Sequence, residues 1–211
     1  GMAQIYEAEI SGPSGFSKRV VVKTILPEYA TLADFKEMFI NEAKVAALLS
    51  HPNIVQTFDF GELNDRLFIA MEFVDGASLQ QVLHRAAKAG VVMGPRFAVA
   101  IGIAMCEALS YVSRLIAPDG SLLSIVHRDI TPGNILISRQ GVVKLTDFGV
   151  VKSSLNAMVT QAGTVKGKYG YMSPEQLLSR PVDQRSDLFS LGVVMYEVAT
   201  QHRLFKRESL P

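Results

Sequence analysis

His127-Arg128-Asp129-Ile130-Thr131-Pro132-Gly133-Asn134, followed thirteen residues on by Asp147-Phe148-Gly149, is the stretch on which the reading of this chain turns. It places Asp129 in a tight polar loop, where a carboxylate can orient a hydroxyl and accept its proton. Asn134 and Asp147 add hard oxygen donors of the kind Mg²⁺ prefers, an ion that takes one or two protein ligands beside phosphate oxygens. Two charges further upstream stand in apolar company: Lys23 ends the strand-like run VVVK (20–23), and Glu42 sits mid-helix in INEAKVAALL. A lone charge in either setting is costly, so each calls for a partner.

Around these residues the chain changes character about a third of the way along. Residues 4–26 read as two strands, QIYEAEI and RVVVKTIL, joined by the turn-rich SGPSG. Thr31 with Asp34 resembles a capping box, opening a helix whose apolar positions are Phe35, Met38, Phe39, Val45 and Leu49. His51-Pro52-Asn53 breaks it, and the strands IVQTFDF and RLFIAMEFV follow. After Asp75-Gly76 the pattern turns helical. Ser78 is the expected N-cap for LQQVLHRAAKA, ended by Gly90, and residues 96–113 form an apolar helix expected to be buried on most sides. APDGSLLSIV reads as a small hairpin, ILIS and VVKLT as short strands, and 187–200 as a last helix. Strand-rich then helix-rich describes an α+β protein of two lobes: residues 1–74, a small antiparallel-sheet lobe with one helix, and residues 75–211, a mainly helical lobe, with a cleft between them.

The 211 residues carry 48% hydrophobic and 19% charged residues, enough apolar content for a real core. Twenty-one Lys and Arg against twenty Asp and Glu give a net charge of +1, which argues against a nucleic-acid or membrane surface driven by bulk positive charge. The single cysteine, Cys106, excludes an internal disulfide, fits a reducing cytosol, and reads as a small buried hydrophobe. No signal peptide is expected at the N-terminus, and the apolar run Phe97–Cys106 stops at Glu107, short of the ~20 residues a membrane span needs.

HRDITPGN (127–134), DFG (147–149), the strand lysine of VVVK, the helix glutamate Glu42 and SPE (173–175) stand in the order of the eukaryotic-type protein kinases. The chain resembles bacterial, notably myxobacterial, members of that family, with HPNIV, VKLTDFG, YMSPEQ and RSDLFSLGVVMYE the closest phrases. The resemblance implies the bilobal kinase fold and ATP with Mg²⁺ as cofactors. It implies transfer of the γ-phosphoryl group to Ser or Thr hydroxyls of proteins, with no contact to nucleic acid or membrane from this segment. It also implies a cytoplasmic location, either for the chain itself or as the cytoplasmic domain of a longer, membrane-anchored protein. The other readings are a pseudokinase serving as a binding or scaffolding module and a small-molecule phosphotransferase. The presence of Lys23, Asp129 and Asp147 weighs against the first, and the SPE segment against the second.

Carried over residue by residue, the resemblance assigns Lys23 to the ATP phosphates, Glu42 to holding Lys23, Asn134 and Asp147 to the metal, and Asp129 to the acceptor hydroxyl. Met71 is the expected gatekeeper, Glu72 and Val74 the adenine-bonding hinge, and Ile5, Val21 and Leu136 the walls of the adenine slot. His127 is expected to be a packed core histidine with Phe148 against it, and Asp187 to cap the backbone of the catalytic loop. Thr164, with Thr160 as runner-up, is the expected phosphosite of an activation segment spanning residues 147–175. Two departures from the family pattern are reciprocal: Thr131 stands where a lysine is usual, and Lys168 where a threonine is usual. Measured against the family pattern, the chain begins inside the glycine-rich loop, with Ala3 in the place of its last glycine. The first strand and the last three helices of the large lobe, with the arginine that usually pairs with Glu175, are expected to lie outside it.

Overall fold

The computed structural model describes residues 3–64, 66–117, 119–148 and 169–205. It begins with the hairpin β1 (Ala3–Ser11) and β2 (Ser17–Ile25), turned by a 3-10 turn at Pro13–Gly15. A one-turn helix α1 (Pro27–Ala30) precedes α2 (Ala33–Ala47), and β3 (Thr57–Leu63) and β4 (Arg66–Glu72) complete a four-stranded antiparallel sheet ordered β1-β2-β4-β3. β5 (Gly76–Ser78) leads into α3 (Leu79–Lys88) and α4 (Gly94–Ser113). β6 (Ile135–Ser138) pairs with both β5 and β7 (Val143–Leu145) in a second antiparallel sheet ordered β5-β6-β7. After a 3-10 turn at Tyr169–Tyr171 come α5 (Pro174–Leu177) and α6 (Gln184–Thr200). The α+β class and the antiparallel-sheet lobe beside a helical one are thus as expected.

Two apolar clusters hold these layers. Ile25, Phe39, Ala43, Leu67 and Ile69 pack α2 against the first sheet. The larger cluster, built on Ile101, Met105, Val112, Ile130, Ile135, Leu145, Leu191 and Val194, also draws in Leu49 and Ile54 from the loop after α2. That loop is stitched to β7: Leu145 N–H donates to Asn53 O (2.8 Å), Val55 N–H to Leu145 O (2.9 Å), and Asn53 Nδ2 to Val143 O (2.8 Å). The strand-rich first third therefore docks on the helical part through a loop that the sequence marks only as a helix breaker.

Ser78 caps α3 as expected, accepting from Gln81 N while Gln81 Oε1 accepts from Ser78 N in a reciprocal box. The capping box expected at Thr31 is not formed. Pro27, with its fixed φ, starts a separate turn that ends at Thr31, and α2 opens after Leu32 with no side-chain cap. Gly76 sits where a Cβ would come within 2.0 Å of Ile137 O, so the β5–β6 approach requires the missing side chain. The expected hairpin before the catalytic loop is present as the bridge Ile116↔Leu122, tightened by Ala117 N–H to Ser121 O (2.8 Å).

α4 departs from expectation. It buries Ala98, Ile101, Gly102, Met105, Ala108 and Val112, but Val99 and Ile103 are more than half exposed, and Cys106 is exposed with them. The helix is long and apolar enough to cross a membrane by length and composition, yet it packs against α6 as a core helix. An all-apolar stretch hides which of its faces finds a neighbour. Cys106 falls on the face that, among the described residues, has none.

Candidate active site

Lys23 is the centre of the assembled charges. It projects from the buried end of β2, opposite Ile69 of β4, and is 9% exposed. Its Nζ donates to Glu42 Oε1 of α2 (2.5 Å) and to Asp147 Oδ1 (2.8 Å). Burial pulls the ammonium pKa down, but the charges of Asp147 and Glu42 and their hydrogen bonds outweigh it, so Lys23 is held charged well above its usual range. Asp147 reaches this position with φ +59, left-handed backbone for a non-glycine residue at the end of β7.

The catalytic-loop candidate is assembled from its own backbone. Asn134 Nδ2 donates to both Asp129 O (2.9 Å) and Asp129 Oδ2 (2.8 Å), while Asn134 O accepts from Thr146 N–H (3.0 Å) beside Asp147. Asp129, Thr131 and Asn134 are buried, and Thr131 closes a turn by accepting from Asn134 N–H (3.0 Å). His127 is fully buried. Its Nδ1 accepts from Asp129 N–H (3.2 Å), its Nε2 lies 3.1 Å from Thr146 O, and its ring packs on Phe148 at 4.5 Å, as expected of a core histidine. Beneath it Asp187, from the first turn of α6, accepts from the backbone N–H of His127 (2.7 Å) and Arg128 (2.8 Å). Burial pushes the Asp187 carboxyl pKa up, against the pull of His127 and those two donors. These bonds hold Arg128 at φ +65, and its buried Nε has no hydrogen-bond partner among the described residues.

No cluster of three His, Cys, Asp or Glu occurs among the described residues. Asn134 and Asp147 are instead a sparse oxygen pair, the donor set Mg²⁺ uses when phosphate oxygens complete its shell. With its nitrogen committed to Asp129, Asn134 has its carbonyl oxygen to offer a hard cation.

The residues expected to wall the adenine slot come from both sheets. Val21 lies opposite Met71, Ile5 opposite Lys23, and Leu136 opposite Lys144. Met71 lines a void of about 20 Å³ with Glu42, Asp147 and Phe148, space for roughly one water. Ile5 is 62% exposed at the rim. Glu72 ends β4, donating its N–H to Gln56 O (2.8 Å), and Val74 follows in the connection to β5. Sequence reasoning missed a tie here. The Glu72 carboxylate accepts from Gln56 N–H (3.2 Å) and pairs with Lys144 of β7 at 2.9 Å, joining the hinge to the strand that leads into Asp147. The alternation of VVKLT signals a strand, but nothing local to Lys144 names a partner 72 positions away. Thr160, Thr164 and Lys168 lie outside the described residues.

A model of the protein kinase domain matches residues 14–210. The chain belongs to the protein kinase family. It is 39% identical over 209 residues to "Tyrosine-protein kinase MasK" of Myxococcus xanthus, covering 99% of this chain and 32% of that protein. It is 37% identical over 210 residues to "Serine/threonine-protein kinase PknA" of Mycobacterium tuberculosis, covering 97% and 45%. The chain spans about a third of the length of the first of these relatives and under half of the second. Among solved structures, the Mycobacterium tuberculosis PknI kinase domain superposes with TM-score 0.70 at 27% identity, over 100% of this chain and 74% of that one.

Proposed function

We propose that the chain carries the catalytic machinery of an ATP- and Mg²⁺-dependent protein kinase acting on Ser and Thr hydroxyls. The observation that carries this reading is the joint placement of the Lys23–Glu42–Asp147 cluster and the Asp129–Asn134 pair, linked through the Thr146–Asn134 bond. Lys23, oriented by Glu42, holds the α- and β-phosphates. Asp129 orients the acceptor hydroxyl and takes up its proton, with Asn134 steadying the carboxylate. Asn134 and Asp147 hold Mg²⁺, which when bound supplies charge that stabilises the transferring phosphoryl group. Ile5, Val21, Met71, Glu72, Val74 and Leu136 receive the adenine. Positioning and electrostatics thus supply most of the catalysis.

The segment between Asp147 and Glu175 is read as the regulatory one. Phosphate on Thr164, or on Thr160, would draw in Arg128, whose buried Nε suits such a partner. Thr131 and Lys168 are read as exchanged partners, the Thr131 hydroxyl serving Asp129 while Lys168 supplies the missing charge at the γ-phosphate. Protein substrates, a cytoplasmic location and the absence of nucleic-acid or membrane partners belong to the same reading.

Incubating the chain with radiolabelled ATP, Mg²⁺ and a generic protein substrate tests it. Transfer is expected, abolished by Asp129→Asn and by Asp147→Asn, with phosphoserine and phosphothreonine in the hydrolysate. Label found only in phosphotyrosine would overturn the Ser/Thr assignment, as the name of the Myxococcus relative makes worth checking. No transfer to any residue would overturn the kinase reading of this chain.

A further inference from the structure

β2 is longer than the strand it lies beside. Its ladder with β4 runs from Val20 to Thr24, so Ser17, Lys18 and Arg19 extend past the end of β4 and are left with β1 as their strand partner. β1 in turn pairs only with β2 among the described residues. The overhanging end of the hairpin is held instead by two cation–ring contacts, one on each face, since successive side chains of a strand point to opposite sides. Lys18 Nζ lies 3.7 Å from the centre of the Phe58 ring, and the Arg19 guanidinium carbon lies 4.3 Å from that of Phe73. Phe73 stands between Glu72 and Val74 in the connection after β4. It is partly buried, yet it belongs to neither apolar cluster. Arg19 shares its face of the hairpin with Val21 and Lys23, each step about 7 Å along the strand, and with Glu7 and Ile5 across the ladder. Glu7 Oε1 lies 3.4 Å from an Arg19 guanidinium nitrogen. Both side chains are more than half exposed, so this pair orients the guanidinium and adds little energy.

We propose that Arg19 is a positioning residue for the nucleotide: its contact with Phe73 clamps the β1–β2 hairpin onto the hinge and slows nucleotide release. This role rests on reading Ile5 and Val21 as the roof of the adenine slot and residues 72–74 as its hinge. The roof side chains and Arg19 lie on one face of one hairpin. The hairpin therefore cannot lift off the slot without drawing the guanidinium away from the ring. A guanidinium suits that place because it is planar, weakly hydrated and able to stack on a ring while its edge stays in water. Arg19 is four residues, about 14 Å, from Lys23 along the strand. The clamp thus sets how long the nucleotide stays and leaves the transfer step itself untouched.

The test is stopped-flow release of a fluorescent nucleotide, N-methylanthraniloyl-ADP, from the chain, chased with excess ATP. Arg19→Ala is expected to speed release about threefold to tenfold, and to raise the ATP KM by a similar factor without lowering kcat. Arg19→Lys keeps a cation at the ring and should fall between the two. Phe73→Leu should match Arg19→Ala, and the double variant should be no faster than either single one. Lys18→Ala frees the same overhang on its other face and should change release by less than about twofold. Additive effects of the Arg19 and Phe73 changes, or an equal effect of Lys18→Ala, would overturn the clamp on the hinge. A fall in kcat at an unchanged release rate would overturn it as well, by moving Arg19 to the transfer step. In the nucleotide-free chain, amide hydrogen exchange at residues 17–19 and 73–75 should quicken severalfold in Arg19→Ala, and unchanged exchange would refute the contact as a restraint. That readout needs no nucleotide, so failure of the unmodified chain to bind the fluorescent ADP would count against the nucleotide reading alone.

Discussion

Replacing Lys23 with Met tests the central cluster most directly. Lys23 lies 2.5 Å from Glu42 and 2.8 Å from Asp147, and its side chain is 11% exposed. At an effective dielectric near 20, each contact attracts by roughly 6 kcal/mol before desolvation is charged against it. Methionine keeps much of the volume, so the loss is electrostatic: two carboxylates remain facing each other without the cation between them. Breaking a buried pair from one side costs about 3–5 kcal/mol. Glu42 and Asp147 are 24% and 33% exposed, which lets water recover part of that and lowers the expectation to about 2–4 kcal/mol. For a chain of this size each kcal/mol moves Tm by about 2–4 °C, so Lys23→Met should melt roughly 5–15 °C lower by calorimetry. Adding Glu42→Gln to it should recover part of the loss, since one of the opposed charges is then gone. The sign of the pH dependence follows from the raised lysine pKa. A group raised in the folded state contributes fully below its ordinary value, 10.5 here, and loses that contribution only as pH climbs through the folded value. Titration of Lys23 therefore adds no slope to the Tm difference between pH 6 and 9. A Lys23→Met variant melting within 2 °C of the unmodified chain, with nucleotide affinity unchanged by isothermal titration, would refute the reasoning.

Two further perturbations address the frame around the cluster. Lys144→Met removes the partner of Glu72 and leaves the hinge carboxylate with the Gln56 amide. It is expected to raise the ATP KM about three- to tenfold while changing kcat less, with Lys144→Arg retaining most of the affinity, and equal KM values for all three forms would show that the tie does not position the hinge. Tyr171 donates to Glu197, and burial first, then that hydrogen bond, raises the phenol pKa above its ordinary 10.0. Its contribution is complete below pH 10 and fades as pH rises through the folded value, so Tyr171→Phe should cost about 1–3 kcal/mol by urea denaturation at pH 7 and flatten the alkaline limb above pH 10. A limb of unchanged slope in the variant would assign the alkaline loss to other groups.

Much of the site was legible because its parts are short and their chemistry is local. Asp129 and Asn134 lie five residues apart in one tight loop, so their hydrogen bonds follow from the loop itself. Ser78 and Gln81 form a cap from four consecutive residues. The pairing of Lys23 with Glu42 was also foreseeable, since a charge ending an apolar strand and another within an apolar helix each need a partner. Where a local rule had two outlets it failed. Thr31 had the right spacing for a cap, but Pro27 nucleated a turn just ahead and moved the start of α2 past it.

What the sequence by itself determined is the set of chemical groups, their order, and the strands and helices that carry them, because propensity, capping and turn chemistry act over a few residues. The tertiary structure alone decided which distant groups meet and which surfaces are covered. The exposure of Cys106, the Glu72–Lys144 tie and the clamp of Asn53 on β7 all depend on segments tens of residues apart. Such contacts are selected by the packing of whole faces, and an apolar face or a surface charge carries no mark of the neighbour that burial will bring to it.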